Sequence, residues 1–212
     1  MPSGEPVFLF DGPAAGPLIA LAHGAGAPMD SGFMTACAQG LAGRGLRVAR
    51  FEFPYMRERR DSGRRRPPDP APVLRAAWLE ALAALRRDAG RDGVVVGGKS
   101  MGGRIASLVA DEAGARGLVC LGYPFHPPGQ PQRLRTAHLR DLRTPTLLLQ
   151  GTRDAFGAPE EVAAYELSPA IRVHWIDGGD HSFKPPARVA RGPDEALAEA
   201  VAAIADFVLT LD

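Results

Sequence analysis

The chain has 212 residues, of which 45% are hydrophobic, and its 25 basic and 24 acidic side chains leave a formal net charge of +1. This length can bury a sizeable core, and we expect a single domain over residues 1–212. The near-neutral balance gives no general attraction to nucleic acid, and no apolar run approaches the ~18 residues that span a bilayer. Neither nucleic acid nor a membrane is therefore expected as a partner.

The N-terminal stretch MPSGEPVFLF has neither a basic region nor a long apolar run, so it does not resemble a secretory signal. The two cysteines, Cys37 and Cys120, fall in apolar segments and form no C-x-x-C pair. We expect two buried thiols in a reducing compartment, and a cytoplasmic protein is the default prediction. The oligomeric state stays open.

Short apolar runs alternate with helical patterns along the chain. The predicted strands are Val7–Phe10, Leu18–Ala22, Leu46–Phe53, Val94–Val96, Gly117–Gly122, Thr146–Gln150 and Ile171–Ile176. The predicted helices are GFMTACAQGLA, capped by Asp30 or Ser31, then Val73 to about Ala89, about Met101–Ala113, EEVAAYEL, and Asp194 to about Leu209. This alternation predicts an α/β fold with a mostly parallel sheet of about 6–8 strands and helices on both faces.

A polar segment separates the third strand from the second helix. Pro54 is expected to stop the strand, and six arginines against two acidic residues follow between Arg57 and Arg66. One interpretation is a solvated, mobile loop. The other is that guanidinium groups, such as those of Arg64, Arg65 and Arg66, attract an anionic group of a substrate.

The stretch GVVVGGKSMGGR, from Gly93 to Arg104, fits two incompatible motifs. It contains the G-x-x-x-x-G-K-[ST] pattern of a phosphate-binding P-loop and the G-x-S-x-G pattern of a nucleophile elbow. A P-loop exposes its variable positions, whereas three of the four here are valines suited to a buried strand. The elbow is favoured because a strand, a turn and a helix follow in order, and because glycines two positions before and after Ser100 avoid backbone collisions.

A serine nucleophile needs a histidine to take its proton and a carboxylate to orient that histidine. In this arrangement the acid and then the histidine should follow later strands. Asp154 lies four residues beyond the strand TLLLQ, and His181 follows IRVHWI across the turn DGGD. We therefore predict Ser100, Asp154 and His181 as catalytic residues, with Asp177 or Asp180 as a possible second partner of the histidine.

The stabilisation of a developing oxyanion requires two backbone N–H groups. Met101, directly after the serine, is predicted to supply one. The second is predicted at Ala25 in HGAGAPMD, where Gly24 and Gly26 allow the backbone to approach. His23 is expected to support this turn.

Four other polar residues are candidates for parts of the site. His174 lies within a strand pattern and is expected to be packed, whereas His138 lies in a basic stretch and is expected to face solvent. His126, in GYPFHPPGQP, is interpreted either as a substrate contact or as part of the loop structure. Lys99 is expected to be exposed or packed rather than to act as a second base.

The connection from Tyr123 to Thr144 holds about twenty residues and four prolines, so a cap domain does not fit there. We expect an open or shallow site, suited to short acyl chains or to an ester on a larger molecule.

The ordered set LAHGAG, FEFPY followed by RRRPPDP, GGKSMGGR, YPFHPPG, LQGTRDAFG and GGDHSF resembles the small α/β-hydrolases of the dienelactone-hydrolase-like branch. It more closely resembles the family that contains a testis-expressed hydrolase-like protein and a subunit of the NSL histone-acetyltransferase complex. The resemblance spans nearly the whole chain. It implies an α/β-hydrolase fold and the same five site residues, Ser100, Asp154, His181, Ala25 and Met101. Serine replaces the cysteine nucleophile of dienelactone hydrolase, so that enzyme's substrate is not carried over.

Three functions follow as hypotheses. The first is a serine hydrolase, an esterase or thioesterase that acts on a small molecule through an acyl-enzyme and needs no metal or organic cofactor. The second is a catalytically idle interaction module that uses the arginine-rich segment as its contact surface, which an intact triad argues against. The third, a P-loop nucleotide-binding protein, is opposed by the strand placement. A haloperoxidase or C–C hydrolase reaction on the same triad stays open.

Overall fold

The computed structural model describes residues 6–89, 93–188 and 190–211, so the first five residues of MPSGEPVFLF lie outside it. The described residues form seven strands in one sheet, β1 Phe8–Asp11, β2 Leu18–Ala22, β3 Arg47–Phe51, β4 Val94–Lys99, β5 Gly117–Leu121, β6 Thr146–Gly151 and β7 Ile171–Ile176. Their order is β1-β3-β2-β4-β5-β6-β7, with β1 antiparallel to β3 and every other pairing parallel. The predicted mostly parallel sheet is confirmed.

The helices of the described residues are α1 Gly32–Ala42, α2 Pro54–Ser62, α3 Ala71–Ala89, α4 Met101–Ser107, α5 Pro159–Val162 and α6 Pro193–Leu209. Alternate residues of β2 point to opposite faces of the sheet. Ile19 and Leu21 pack in the core beneath α1 and α6, whereas Ala20 packs in the core beneath α3 and α4. Both faces are covered, which explains why the strands read as continuous apolar runs.

The arginine-rich segment differs from the predicted loop, because it begins with a helix. β3 ends at Phe51, and Pro54 opens α2, since its fixed φ and missing N–H suit the first helical position. Tyr55 and Met56 of this helix are buried, and Gly63 ends the helix with φ 70°. The interpretation of the whole segment as a mobile, solvated loop was therefore wrong.

Two predicted helices are shorter in the structure. After α4 the N–H groups of Leu108 and Val109 bond three residues back, and those of Ala164 and Tyr165 do the same after α5. These tighter turns end the regular helix early. The N-cap of α1 is Ser31, one of the two predicted residues, but its hydroxyl makes no capping hydrogen bond.

The connection between β5 and β6 contains one short 3₁₀ helix, Ala137–Leu139, and no cap domain, as predicted. Cys37 and Cys120 are both buried, and burial raises the pKa of the Cys37 thiol to about 12. Among the described residues, no helix is both long and apolar enough to cross a membrane.

The strand order opens a crevice at the carboxyl end of β2. The chain passes from β2 to β3 through α1 on one face, and from β3 to β4 through α3 on the other. β2 therefore lies between two strands whose connections diverge, and ligands of open α/β sheets bind outside the strand ends at such a point. The loops that follow β2, β4, β6 and β7 begin at this edge of the sheet.

Trp78 joins α3 to the sheet, and its replacement is expected to be costly. The ring is fully buried, meets the Phe51 ring at 4.7 Å between centroids, and donates its indole N–H to the Gly102 carbonyl at 3.4 Å. Trp78→Ala should lower the free energy of unfolding by about 3–5 kcal/mol in urea titrations. Val73→Ala, on the same helix at a side chain 43% exposed, should change it by less than about 0.5 kcal/mol. Equal losses would contradict this packing.

Candidate active site

Ser100 lies on the sharp turn between β4 and α4, with φ 51° and ψ −113°. A non-glycine residue rarely adopts a positive φ, and such strain is concentrated at functional sites. The strand runs to Lys99, three residues beyond its predicted end, and pairs with β2 on one side and β5 on the other. The amides that a P-loop would turn toward phosphate are thus bonded within the sheet, which rules out the P-loop interpretation.

Close backbone approach explains the glycines around the serine. A Cβ at Gly98 would stand 2.3 Å from the Ala22 carbonyl oxygen, and one at Gly102 would stand 2.4 Å from the same oxygen. A Cβ at Gly103 would stand 2.6 Å from the Gly98 oxygen. The turn is thereby pressed against the end of β2, as the motif predicts.

A continuous line of hydrogen bonds joins the three residues predicted to form the triad. The Ser100 hydroxyl lies 2.8 Å from His181 Nε2, and His181 Nδ1 lies 2.8 Å from Asp154 Oδ2. Buried Asp154 also accepts hydrogen bonds from the Gln150 amide and the Phe156 N–H, each at 2.9 Å. A carboxylate oxygen only accepts, so Nδ1 carries the proton and Nε2 is left to accept one from the serine.

Three further residues hold the histidine, and sequence reasoning assigned none of them to the site. The Phe156 ring lies against the imidazole at 4.2 Å between centroids. Lys99 is buried and donates from Nζ to the His181 carbonyl at 2.6 Å, and burial lowers the pKa of this amine to about 8. Gly122 has φ 68°, and a Cβ there would stand 2.8 Å from the same carbonyl oxygen. Lys99 is thus packed, one of the two predicted possibilities.

The predicted oxyanion donors, Ala25 and Met101, line one cavity together with Ser100. Met101 opens α4, where the first N–H groups have no partner within the helix. Both residues therefore border the same cavity as the serine.

The loop that carries Ala25 is fixed by two buried rings. The Tyr55 hydroxyl donates to the Ala25 carbonyl at 3.0 Å. His23 donates from Nδ1 to the Gly24 carbonyl at 2.7 Å and accepts the Phe53 N–H at Nε2 at 3.1 Å. Burial lowers the pKa of His23, which favours the neutral ring that this pairing needs. His23 supports the turn, as expected.

A charged cluster anchors the far end of the same loop. Arg60 of α2 donates to both Asp30 oxygens at 2.9 Å and to the buried Glu52 at 2.6 Å. Glu52 accepts the Met29 N–H at 3.3 Å, and Arg50 donates to the Met29 carbonyl at 2.8 Å. The Arg60 guanidinium holds the pKa of Asp30 below its ordinary value. Arg60, one arginine of the predicted loop, therefore links α2 to Glu52, directly after β3, and to Asp30 at the end of the loop after β2.

The fold and this geometry agree with the comparison to known proteins. Residues 15–209 match the alpha/beta hydrolase domain family. The chain belongs to this family. A carboxymethylenebutenolidase from Pseudomonas sp. (strain P51) is 40% identical over 95 residues, which are 43% of this hydrolase-family chain but only 37% of the relative.

Two solved structures show the same fold at low identity. The dienelactone hydrolase from Anabaena variabilis ATCC 29413 has a TM-score of 0.71 and 21% identity, and the match covers 96% of this chain and 91% of that one. An α/β serine hydrolase without lid from Xanthomonas campestris has a TM-score of 0.69 and 18% identity, with coverage of 98% and 95%. Both likenesses support the alpha/beta hydrolase fold.

The structure does not bring the predicted arginine contacts to the cavities beside Ser100. Arg64 and Arg65 are exposed, and neither lines these cavities. Arg66 pairs with Glu58 and, at 3.2 Å, with Asp69. Acidic residues of the arginine-rich segment thus neutralise the Arg66 guanidinium within the segment itself.

His126 is also absent from the lining of these cavities. It is buried, donates from Nδ1 to the Pro127 carbonyl at 2.8 Å, and has Nε2 3.4 Å from Glu161 Oε1. Its backbone N–H reaches the Phe156 carbonyl at 3.4 Å. Of the two interpretations, the structure supports loop structure, with His126 behind a residue that lines the site.

Asp180 serves its own turn, whereas Asp177 contacts the loop after β6. Asp180 accepts hydrogen bonds from the Ser182 and Lys184 N–H groups at 2.8 and 3.0 Å, and Asp177 lies 3.5 Å from the Thr152 hydroxyl. In the described part of the chain, no group of three His, Cys, Asp or Glu side chains could hold a metal ion. His174 is held on β7 by Glu199 at 2.8 Å.

His138 is half-buried, so the prediction that it faces solvent was wrong. Its Nε2 lies 2.8 Å from the Ser107 hydroxyl, which itself donates to the Arg104 carbonyl at 2.7 Å. Burial, and then the Arg104 charge, lower the pKa of His138 from 6.5 to about 4. A polar stretch of sequence could not reveal this, because the partner comes from α4.

The pKa of His138 predicts a loss of stability in acid. The unfolded chain takes up this proton near pH 6.5 but the folded chain only near pH 4, so stability falls as pH decreases between these values. His138→Gln removes this titration and keeps a hydrogen-bond donor for Ser107. Urea titrations at pH 7 and pH 4.5 should show a smaller acid loss for the variant. Equal losses in both proteins would contradict the burial.

Gly102→Ala tests the close approach at the turn. The added methyl would collide with the Ala22 carbonyl, and the shift that relieves this should cost about 1–3 kcal/mol. Gly32→Ala is the control, because a Cβ there meets nothing within 4 Å. Thermal unfolding should give a lower midpoint for the first variant and an unchanged or higher one for the second. A midpoint for Gly102→Ala equal to that of the wild type would contradict the packing.

Proposed function

We propose that this protein is a serine hydrolase that cleaves a carboxylic ester or thioester of a small or short-acyl substrate. The observation that carries the proposal is the line of two 2.8 Å hydrogen bonds from Ser100 through His181 to buried Asp154. Membership of the alpha/beta hydrolase domain family supports hydrolysis as the reaction class. The motif set from LAHGAG to GGDHSF supports kinship with the family of the testis-expressed hydrolase-like protein and the NSL-complex subunit.

The reaction would begin with the attack of Ser100 Oγ on the carbonyl carbon. His181 Nε2 takes the serine proton, and the Asp154 carboxylate stabilises the imidazolium that results. The N–H groups of Ala25 and Met101 donate to the carbonyl oxygen as it becomes negative. A prepositioned donor pair of this kind lowers the barrier because it needs no reorganisation during the reaction.

His181 would then act as the acid. It gives its proton to the oxygen or sulfur of the leaving group, the carbon–heteroatom bond breaks, and the acyl group remains on Ser100. A water molecule attacks this acyl-enzyme while His181 Nε2 takes a proton from it. Collapse of the second intermediate releases the acid, and the proton returns to Ser100 Oγ.

Labelling with a fluorophosphonate probe, together with hydrolysis of short p-nitrophenyl esters, tests the proposal. Ser100→Ala should lose all labelling, and its kcat should fall by about 10³-fold or more. Ser62→Ala, at an exposed serine of α2, should label and turn over as the wild type does. Undiminished labelling of Ser100→Ala would sink the assignment of the nucleophile. No labelling of folded wild type would favour the idle interaction module instead.

A further inference from the structure

Two cavities meet at Ser100. The larger, of about 390 Å³, is lined by Arg104 and Arg135 and is called the arginine cavity. The smaller, of about 300 Å³, is lined by His181 and Phe33 and is called the histidine cavity. An ester has two parts on either side of its carbonyl carbon, so the two cavities can receive one part each.

The chemistry of the proposed function decides which part enters which cavity. His181 must protonate the leaving oxygen, so the leaving group lies on the side of the imidazole. The histidine cavity also contains Phe33 and Met34, which suit an apolar alcohol or thiol. The acyl group, on the other bond of the carbonyl carbon, then extends into the arginine cavity.

Arg104 is placed to meet the acyl group. It lies on α4, four residues after Ser100, and both residues line this cavity. Its Nε is buried and has no hydrogen-bond partner among the described residues. In the same part of the chain, its guanidinium forms no ion pair with a carboxylate, unlike that of Arg60 or Arg66. A half-buried cation without a counter-ion is costly unless a ligand supplies one.

Arg135 brings a second positive charge to the same cavity. Its backbone is fixed, because its N–H donates to the Phe125 carbonyl at 2.8 Å and its carbonyl accepts the Tyr123 hydroxyl at 2.9 Å. Burial and the nearby Arg104 charge both lower the pKa of Arg135. Within the described residues it also forms no ion pair with a carboxylate. Two like charges thus share one cavity, and neither is paired with a carboxylate among the described residues.

The other titratable groups near the cavity do not offset these charges. Asp69 lines it, but its oxygens already accept the Tyr55 N–H at 2.9 Å and the Arg66 guanidinium at 3.2 Å. His138 contacts the Ser107 hydroxyl from beneath α4 and, with a pKa of about 4, is neutral at pH 7. The arginine cavity therefore keeps a net positive charge.

We propose that the arginine cavity binds a carboxylate at the far end of the substrate's acyl group, with Arg104 and Arg135 as its counter-ions. The preferred substrates are then half-esters or half-thioesters of dicarboxylic acids with an apolar leaving group. The planar guanidinium fork matches the geometry of a carboxylate and can donate two parallel hydrogen bonds to it. This substrate class rests on the proposed function.

Two esters that differ by one charge and one methyl group test the proposal. They are p-nitrophenyl hemiglutarate and its methyl ester, and the measured quantity is the ratio of their kcat/KM values. Wild type should prefer the anionic ester, and Arg104→Gln and Arg135→Gln should each lower the ratio about tenfold or more. Arg104→Lys keeps the charge but lacks the planar guanidinium. Its ratio should therefore lie between those of the wild type and Arg104→Gln. Arg133→Gln removes an exposed charge two residues from Arg135 and should leave the ratio unchanged.

A binding measurement separates this proposal from the proposed function. Monomethyl glutarate should bind the inactive Ser100→Ala protein in calorimetry, and an added Arg104→Gln change should weaken that binding about tenfold or more. If the fluorophosphonate probe fails on wild type but this binding persists, the hydrolase assignment fails and the carboxylate site stands. If Ser100 labels normally while binding and ester ratio are insensitive to both arginines, the carboxylate site is refuted.

Discussion

The contact between the turn at Ser100 and the carboxyl end of β2 determines where the other parts of the site lie. Gly98 and Gly102 both approach the Ala22 carbonyl too closely for any side chain. This approach holds the serine in a strained conformation at the N-cap of α4, and it places the loop after Ala22 against it. The strand order makes the contact available, because β2 and β4 are neighbours whose connections diverge.

The loop after β2 is held in place by side chains from another part of the chain. Its beginning is held by the Tyr55 hydroxyl on Ala25, and its end by Arg60 on Asp30. Both come from α2, the helix that opens the arginine-rich segment. A segment that looked like a solvated surface therefore supports the backbone from which one proposed oxyanion donor projects.

Arginines in this chain have two different environments. Arg50 and Arg60 are matched by Asp11, Asp30 and Glu52, so their charges serve structure. Those lining the cavity beside Ser100 have no such match among the described residues, and desolvated cations need an anion from elsewhere. The same residue type thus marks a structural tie in one place and a candidate recognition site in another. Only the neighbours distinguish the two.

The sequence alone determined the sheet, because its strands are continuous apolar runs between helical patterns and both faces are covered. It also predicted Ser100, Asp154 and His181 as neighbours, since each follows a strand and the carboxyl ends of parallel strands meet at one edge. It could not predict α2, whose helix depends on burial of Tyr55 and on ion pairs with residues distant in sequence. Nor could it predict that Arg104 lines one cavity with Arg135 from the loop after β5, because tertiary structure decides which charged side chains become neighbours. The pattern of one segment carries no information about which distant segment will desolvate it or neutralise its charge.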